Sequence, residues 1–245
     1  MGRIFLAILT TAFFINGCIL ERIFSVKNQL CDFENNFQIN ISEGFRVLLH
    51  EPVLLDKDIT WLTGAEPSSR ELIGDELIMT YIAEKRGNRS YGQYDIPLEL
   101  RFVRMDDEFR LLEGYLSKNL TDVLTGELLT QIMQSVCRSK KSLADQSITI
   151  DIGSINRSLL PLKSELIEIL GPPNRSRGDE FKLSYEYQLD NDVSIDKVAS
   201  IDISFDKDGK TIQRIRVKYL RYLLDADFEA GWAILKVDIF GDKKI

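Results

Sequence analysis

The chain has 245 residues, of which 44% are apolar and 28% are charged, and its formal net charge at pH 7 is −7. Its length allows one large domain or two small ones with proper cores, and its 15 Gly and 6 Pro are too few for a low-complexity or disordered chain. A general nucleic-acid binder needs basic surface to displace counterions from phosphates, and no strong basic block offsets the acidic total. We therefore expect no nucleic-acid partner.

The first twenty residues have the layout of an export signal. Arg3 is followed by an apolar run over residues 4–15, and a small residue stands just before Cys18, at a possible cleavage point. Residues 4–20 are slightly fewer than the roughly 20 that cross a bilayer as a helix. An uncleaved helical anchor is therefore the alternative to a cleaved signal, and both place the body of the protein outside the cytoplasm.

The tetrapeptide Ile-Asn-Gly-Cys that ends at Cys18 resembles the lipobox of bacterial lipoproteins. In that family a lipid is attached to the cysteine thiol, the signal is cut just before the cysteine, and the new amino terminus is acylated. The resemblance implies a signal peptide over residues 1–17 and a lipidated Cys18 that holds the protein to a membrane. Because Ile19 and not Asp follows the cysteine, it also implies the outer membrane of a Gram-negative cell, with the protein facing the periplasm.

Two further cysteines, Cys31 and Cys137, remain after the signal. In an oxidising compartment they are a natural disulfide pair, whose loop of about 107 residues would restrict the unfolded chain by roughly 4–5 kcal/mol in the entropic model. Each lies shortly before a strand-like segment, over residues 37–41 and 148–152 respectively. We expect these cysteines to bridge the two repeated units described next, and the alternative is two buried free thiols.

A repeat of 104 residues runs through the exported chain, since the octapeptide at residues 74–81 recurs in type and order at residues 178–185. Further landmarks recur in the same order at nearly the same offset: Asp58-Ile59, Leu62, Gly64 and Pro67 with Glu165-Leu166, Ile169, Gly171 and Pro173, residues 98–102 with 201–205, and Tyr115-Leu116 with Tyr219-Leu220. This order predicts a tandem duplication, with a first unit over residues 18–119 and a second over residues 120–245.

The elements of the first unit can be read in chain order. A short helix around Asp58 ends at Gly64, and apolar residues then alternate over 77–81 and 96–102, the period of strands with one buried face. Asp106-Asp107 marks the turn after the second of these strands. The unit is therefore predicted to be a helix followed by an antiparallel meander.

The second unit repeats this order after a connecting helix. Apolar residues that step by four from Leu120 to Val136 predict an amphipathic helix opened by Thr121 or Asp122. The pattern then predicts a helix over 162–170 ended by Gly171, a strand over 181–189, a strand over 201–205, a hairpin turn at 206–210 and a strand over 212–219. The predicted fold class is α+β, with two tandem two-layer units, each of short helices packed on an antiparallel β-meander.

The segment from Lys163 to Pro173, followed by an acidic turn and a Tyr-rich strand, resembles the BamE/SmpA small outer-membrane lipoproteins and the related β-lactamase inhibitor proteins. In those families a Lys-x-Glu-Val-x-x-Leu-Leu-Gly-x-Pro helix end precedes an antiparallel sheet. The match covers the helix and the strands of the second unit and, more weakly, the first unit. It implies a protein that binds other proteins and lacks catalytic residues, and no family contact residue transfers to a position of this chain.

The sequence carries no pattern typical of catalysis or of a metal site. The one histidine, His50, lies beside a strand-like segment and is expected to be structural. Asp206-Lys207-Asp208-Gly209 matches the start of a calcium loop, but the required spacing and closing Glu are missing, so a hairpin turn is expected. We expect no catalytic residue, no cofactor, no metal and no small-molecule substrate.

Two surface features could bind a partner. Arg214, Arg216 and Lys218 alternate along one strand, either as an ordinary solvated face or as a docking surface for an acidic partner or anionic lipid headgroups. The candidate aromatic anchors are Trp61, Trp232, Tyr91 and Tyr94. For Trp61, core packing is the stronger expectation, because it lies in the predicted helix of the first unit.

The combined expectation is a non-enzymatic, membrane-anchored envelope lipoprotein. It would act as a protein-binding scaffold for an envelope partner, in outer-membrane assembly or maintenance. The alternative is an inhibitor or sensor module that binds an exported cell-envelope enzyme.

Overall fold

The structure is a computed structural model that describes residues 19–87, 92–142, 146–174, 181–189 and 198–237. The helices of these ranges are α1 (19–31), α2 (Phe33–Asn36), α3 (Asp56–Thr63), α4 (Lys118–Thr121), α5 (Gly126–Cys137) and α6 (Lys163–Leu170), with a 3₁₀ turn at Arg157–Leu159. The strands are β1 (Phe37–Asn40), β2 (Gly44–Leu49), β3 (Ser69–Ile73), β4 (Glu76–Lys85), β5 (Ile96–Met105), β6 (Glu108–Ser117), β7 (Lys140–Ser142), β8 (Ser147–Asp151), β9 (Lys182–Leu189), β10 (Val198–Phe205), β11 (Ile212–Tyr219), β12 (Tyr222–Asp227) and β13 (Trp232–Val237).

The predicted α+β class, with two separate helix-on-meander units, is wrong. The described strands join in one 13-stranded antiparallel sheet, in the order β1-β2-β6-β5-β4-β9-β10-β11-β12-β13-β8-β7, with β3 paired to β4. Strands hold 46% of the described residues against 26% for helices, so the fold is mainly β. The two halves fuse because β4 and β9 pair along their edges, which alternation within either strand does not reveal.

The junction between β4 and β9 relates residues that the repeat makes equivalent. Glu84 lies opposite Gln188, its own counterpart at the 104-residue offset. The flanking pairs are reciprocal. Ala83 lies opposite Leu189, the counterpart of Lys85, and Lys85 lies opposite Tyr187, the counterpart of Ala83. Such reciprocal pairing is the mark of a two-fold axis, so a pseudo-two-fold axis passes between Glu84 and Gln188.

The two halves also share local hydrogen bonds. The Ser68 backbone N–H donates to the carbonyl of Thr80 at 2.7 Å, and the Asn174 N–H donates to that of Ser184 at 2.9 Å. The side-chain oxygens of Ser68 and Asn174 then accept from the backbone N–H two residues further along the strand, in β4 and β9 respectively. Residues 178–180 of the recurring octapeptide lie outside the described ranges.

Each half carries its own core on the helix-covered side of its strands. The first is built on β4, β5 and α3, and the second on β9, β10 and α6. The buried residues of the first are Ile59, Leu77, Met79, Tyr81, Leu100, Phe102 and Leu111. Those of the second include Leu128, Leu166, Leu170, Leu183, Tyr185, Tyr187, Ile203 and Phe205. The alternating strand residues predicted to be buried fill both cores, except that Phe181 precedes β9 and is 43% exposed.

The connecting helix predicted from Leu120 to Val136 is two helices, α4 and α5, so its predicted opening at Thr121 or Asp122 is wrong. Thr125 caps the second helix, because its hydroxyl accepts the Leu128 backbone N–H at 3.2 Å. The predicted boundary between residues 119 and 120 falls within α4.

The two edges of the sheet are drawn together. The edge strands β1 and β7 follow Cys31 and Cys137, whose Cα atoms are 4.8 Å apart. A flat sheet of this order would hold the edges about 50 Å apart at ~4.8 Å per strand, which is further than the short connections from the cysteines can reach at ~3.5 Å per residue. The sheet is therefore curved, with its edges joined through the cysteine pair.

No helix in the described ranges combines the length and apolar character needed to cross a membrane. The predicted signal peptide over residues 1–17 and the predicted lipidation site Cys18 lie outside the described residues.

Candidate protein-binding groove

A groove of about 840 Å³ lies where the two halves meet. Its walls come from the first half, at the start of β5, the end of β6 and α4, and from the second half, at α6. Six apolar side chains line it: Ile82, Ile96, Pro97, Leu120, Val123 and Ile169. The groove thus has the size of a ligand or peptide site and a lining of mixed polar and apolar character.

The same groove is acidic. Asp95, Asp122, Glu165 and Glu168 line it, and no Lys, Arg or His does so in the part of the chain that the structure describes. The Asp122 carboxylate accepts a hydrogen bond from the Lys118 ammonium just outside the lining. Asp95 and Glu165 accept only backbone N–H groups among their hydrogen bonds, at 2.9 and 2.7 Å. The groove therefore keeps a negative charge.

Residues of the first half hold the carboxyl end of α6 beside the groove. The buried Lys85 ammonium donates to the carbonyls of Leu170 and Pro172, the latter at 2.5 Å, and lies 4.9 Å from the Tyr185 ring centroid. Burial lowers the pKa of Lys85. Gly171 follows with a φ of 71°, and a Cβ there would meet the Tyr94 ring at 2.5 Å, so both its conformation and its space require glycine.

Among the described residues, an arginine covers part of the place equivalent to the groove in the first half. Counting from Gly64 and Gly171, the helix offset is 107 residues, which makes Trp61 the counterpart of Glu168. The Arg221 guanidinium lies 4.1 Å from the Trp61 ring centroid and covers one face of the ring. At the 104-residue offset, the counterpart of Arg221 is Ser117, which lines the groove.

A second arginine contacts α3 in the first half. Asp58, the counterpart of Glu165, is buried and accepts two hydrogen bonds of 2.6 Å from the Arg22 guanidinium. Counting from the two cysteines, the counterpart of Arg22 in the second half is Leu128, which is 1% exposed in the core. Neither arginine that contacts α3 in the first half is therefore repeated in the second half, where Ser117 lines the groove.

The structure places Cys31 and Cys137 at disulfide distance, with 2.15 Å between their sulfur atoms. Cys31 is exposed and Cys137 is partly buried. Because they end the equivalent helices α1 and α5, they meet across the two halves in the arrangement that the sequence predicts.

The other sequence candidates lie apart from the groove, except Tyr94. The His50 ring nitrogen Nδ1 lies 2.8 Å from the Asn35 carbonyl oxygen. The Asp206 carboxylate accepts the backbone N–H groups of Lys210 and Thr211, which lowers its pKa and closes a hairpin turn. Among the described residues, no cluster of His, Cys, Asp or Glu could hold a metal ion.

Two of the three cations of the basic stripe on β11 share one carboxylate, whereas the third, Lys218, is exposed. Arg214 donates two hydrogen bonds of 2.6 Å to Asp225 on β12, and Arg216 donates a third of 3.0 Å. The Arg214 hydrogen bonds, followed by those of Arg216, lower the pKa of Asp225. This arrangement is typical of an ordinary solvated sheet face with cross-strand ion pairs.

The two tryptophan candidates differ in exposure. Trp61 is 41% exposed, so the core packing expected for it is wrong, and Arg221 covers one face of its ring. Trp232 begins β13 in a partly buried position. Tyr91 lies outside the described residues.

Sequence reasoning missed Ser117, Glu165 and Glu168 as site residues. The signal that could have found them lies in the repeat itself, because its alignment sets an acidic residue against Trp61 and a serine against Arg221. Where one half has the large pair Trp61 and Arg221, the other has Glu168 and Ser117. Replacing a large contact pair in this way predicts an open surface at that place.

Comparison with family models, with curated proteins and with solved structures found no match.

Proposed function

We propose that this protein is a non-enzymatic lipoprotein of a Gram-negative envelope, anchored in the outer membrane through Cys18, which binds another envelope protein. The observation that carries the proposal is the groove between the two halves. Its lining combines apolar and acidic side chains, which suits the recognition of another protein better than a structural core. Its function as a scaffold would serve outer-membrane assembly or maintenance.

Three further features support the proposal. The apolar run and the lipobox-like tetrapeptide ending at Cys18 favour export and lipidation. The pairing of Cys31 with Cys137 favours an oxidising compartment such as the periplasm. The resemblance of the α6 segment to BamE/SmpA lipoproteins favours protein binding in the outer membrane.

The experiment is site-specific photo-crosslinking in living cells. A photoreactive amino acid replaces Ile169 in the groove, and a matched variant carries it at Leu72, which is 57% exposed on β3. We expect a discrete adduct with one envelope protein from position 169 and none from position 72. Equal labelling at both positions, or no adduct at position 169, would contradict the proposal.

Two further measurements test the lipid anchor and distinguish the scaffold hypothesis from the inhibitor hypothesis. A Cys18→Ala variant should keep its signal, lose the lipid mass and lose the adduct, since it would no longer lie beside its partner. If the crosslinked protein is a cell-wall enzyme whose rate falls on binding, the inhibitor hypothesis replaces the scaffold hypothesis. An unaffected rate, together with greater outer-membrane permeability in cells that lack the protein, supports the scaffold.

A further inference from the structure

We infer that the groove binds a segment of its partner that carries arginine or lysine side chains beside apolar ones. This inference gives the partner's chemistry and rests on the protein-binding function proposed above. It follows from the charge of the groove and from the way in which the molecule covers the equivalent surface of its own first half.

Charge complementarity is the first argument. Three acidic side chains, Asp95, Glu165 and Glu168, line the groove along with Asp122, and no basic side chain lines it in the described chain. Opposite charges across an interface favour encounter and register, whereas juxtaposed like charges disfavour binding. The groove therefore selects against acidic segments and anionic lipid headgroups and in favour of cationic segments.

The first half provides an internal template for the occupant. There, a guanidinium stacks on the helix residue at the Glu168 position, and a second guanidinium binds the carboxylate at the Glu165 position. Arg221 reaches α3 from the β11–β12 hairpin and also bonds the Trp61 carbonyl at 3.4 Å. In the second half Ser117 and Leu128 stand in place of these arginines. In the first half the protein itself supplies two cations, Arg221 and Arg22. In the second half a partner would supply them.

The apolar lining defines the rest of the segment. Ile82, Ile96 and Val123 offer surface that water covers in the free protein. Burying this surface against apolar side chains of a partner removes it from water and favours binding. A segment with aliphatic side chains between its cations would therefore fill the groove better than a uniformly charged one.

The test is a binding titration with the lipidated full-length mature protein in a neutral detergent. The probe is a fluorescein-labelled decapeptide in which three arginines alternate with leucine and valine. Its control has citrulline at the three positions, which keeps the shape of arginine but removes the charge. Fluorescence anisotropy at several salt concentrations gives the two dissociation constants.

Two variants locate the binding. The double variant Glu165→Gln with Glu168→Gln removes two of the four negative charges of the groove. The amide oxygen at position 165 can still accept the Leu162 N–H. Ser117→Arg places a guanidinium where Arg221 lies in the first half, at a residue whose side chain makes no capping hydrogen bond. Glu71→Gln on the exposed strand β3 is the control.

We expect saturable binding of the arginine peptide, weakened about tenfold, or ~1.4 kcal/mol, by citrulline, by the double Gln variant and by Ser117→Arg. Glu71→Gln should leave the affinity unchanged. Absence of saturable binding, or equal affinity for the citrulline peptide or the double variant, would overturn the inference. An adduct at position 169 with no peptide binding would leave the protein-binding proposal in place and refute only the cationic partner.

Discussion

Arg221 and Trp61 join the two halves of the molecule, since the guanidinium of a second-half hairpin lies 4.1 Å from the ring centroid of a first-half helix residue. Tyr219 supports the contact by donating its hydroxyl to the Thr63 carbonyl at 2.8 Å. The second half lacks an equivalent contact, because Ser117 stands at the counterpart of Arg221 and lines the groove.

Replacing Arg221 with alanine should therefore lower stability. A cation–π contact at a partly exposed site contributes about 0.5–1 kcal/mol, and the lost packing of the side chain adds to this. We expect the free energy of unfolding, measured in urea, to fall by about 1 kcal/mol. Arg157→Ala, at an exposed arginine of the 3₁₀ turn, is the matched control and should change it by less than about 0.5 kcal/mol. Equal effects of the two substitutions would contradict the role given to the Arg221–Trp61 contact.

The cysteine pair should behave as a disulfide. We expect the mature protein to show no alkylation at Cys31 or Cys137 without reductant, measured by intact mass. The double variant Cys31→Ser with Cys137→Ser should unfold more easily by about 2–5 kcal/mol, because the unfolded chain regains the freedom that the long closed loop removes. Reductant should destabilise the wild type to the level of this variant and leave the variant itself unchanged. Two thiols that alkylate in the native, unreduced protein would refute the bridge.

The ion pair between Arg22 and Asp58 should stabilise α1 against α3. The Asp58 side chain is 3% exposed, so removing its partner leaves a carboxylate away from water. Arg22→Met is expected to cost about 3–5 kcal/mol of unfolding free energy. Asp58→Asn in the Arg22→Met background should restore part of that loss, because the buried charge is then gone. A purely additive double-mutant cycle would show that the two residues do not depend on each other.

The pH dependence of stability should report Asp225. Arg214 and then Arg216 hold the pKa of this carboxylate below its ordinary value of about 3.9. A folded-state pKa below the unfolded value gives stability that is present above about pH 4 and is lost as the pH falls through the folded pKa. Asp225→Asn should therefore have a shallower loss of unfolding free energy below pH 4 than the wild type. Parallel curves for the two proteins, measured by urea unfolding from pH 6 to pH 2, would contradict this assignment.

Much of the local structure could be predicted from the sequence. The strand predicted over 212–219 coincides with β11, and the helix predicted to end at Gly171 ends at Leu170, just before that glycine. These elements follow from short-range rules, namely alternation for a half-buried strand and a φ of 71° that favours glycine after a helix. Local patterns of this kind do not depend on the rest of the chain.

The long-range structure could not be predicted in the same way. Three residue pairs at Glu84 and its neighbours turn two expected meanders into one sheet, and nothing in either strand specifies that edge. β12 and β13 went unpredicted, since Leu223 and Leu224 are consecutive and break a two-residue alternation. The groove was missed because the difference between Ser117 and its counterpart Arg221 appears only when the two halves are aligned residue by residue.

The start of α1 determines how far the folded body would lie from a lipid on Cys18. The helix already includes residue 19, and Ile19 is buried, so a lipid on Cys18 would be joined to the folded body without a spacer. A flexible linker of n residues would give a reach of roughly 5–6 Å × √n, and here that reach is absent. Leu20 and Phe24 lie one turn apart on α1 and are 46% and 38% exposed, close to where the headgroups would be. If Cys18 carries the lipid, the folded body would therefore stand close to the bilayer surface, with Leu20 and Phe24 on the side of α1 nearest the anchor.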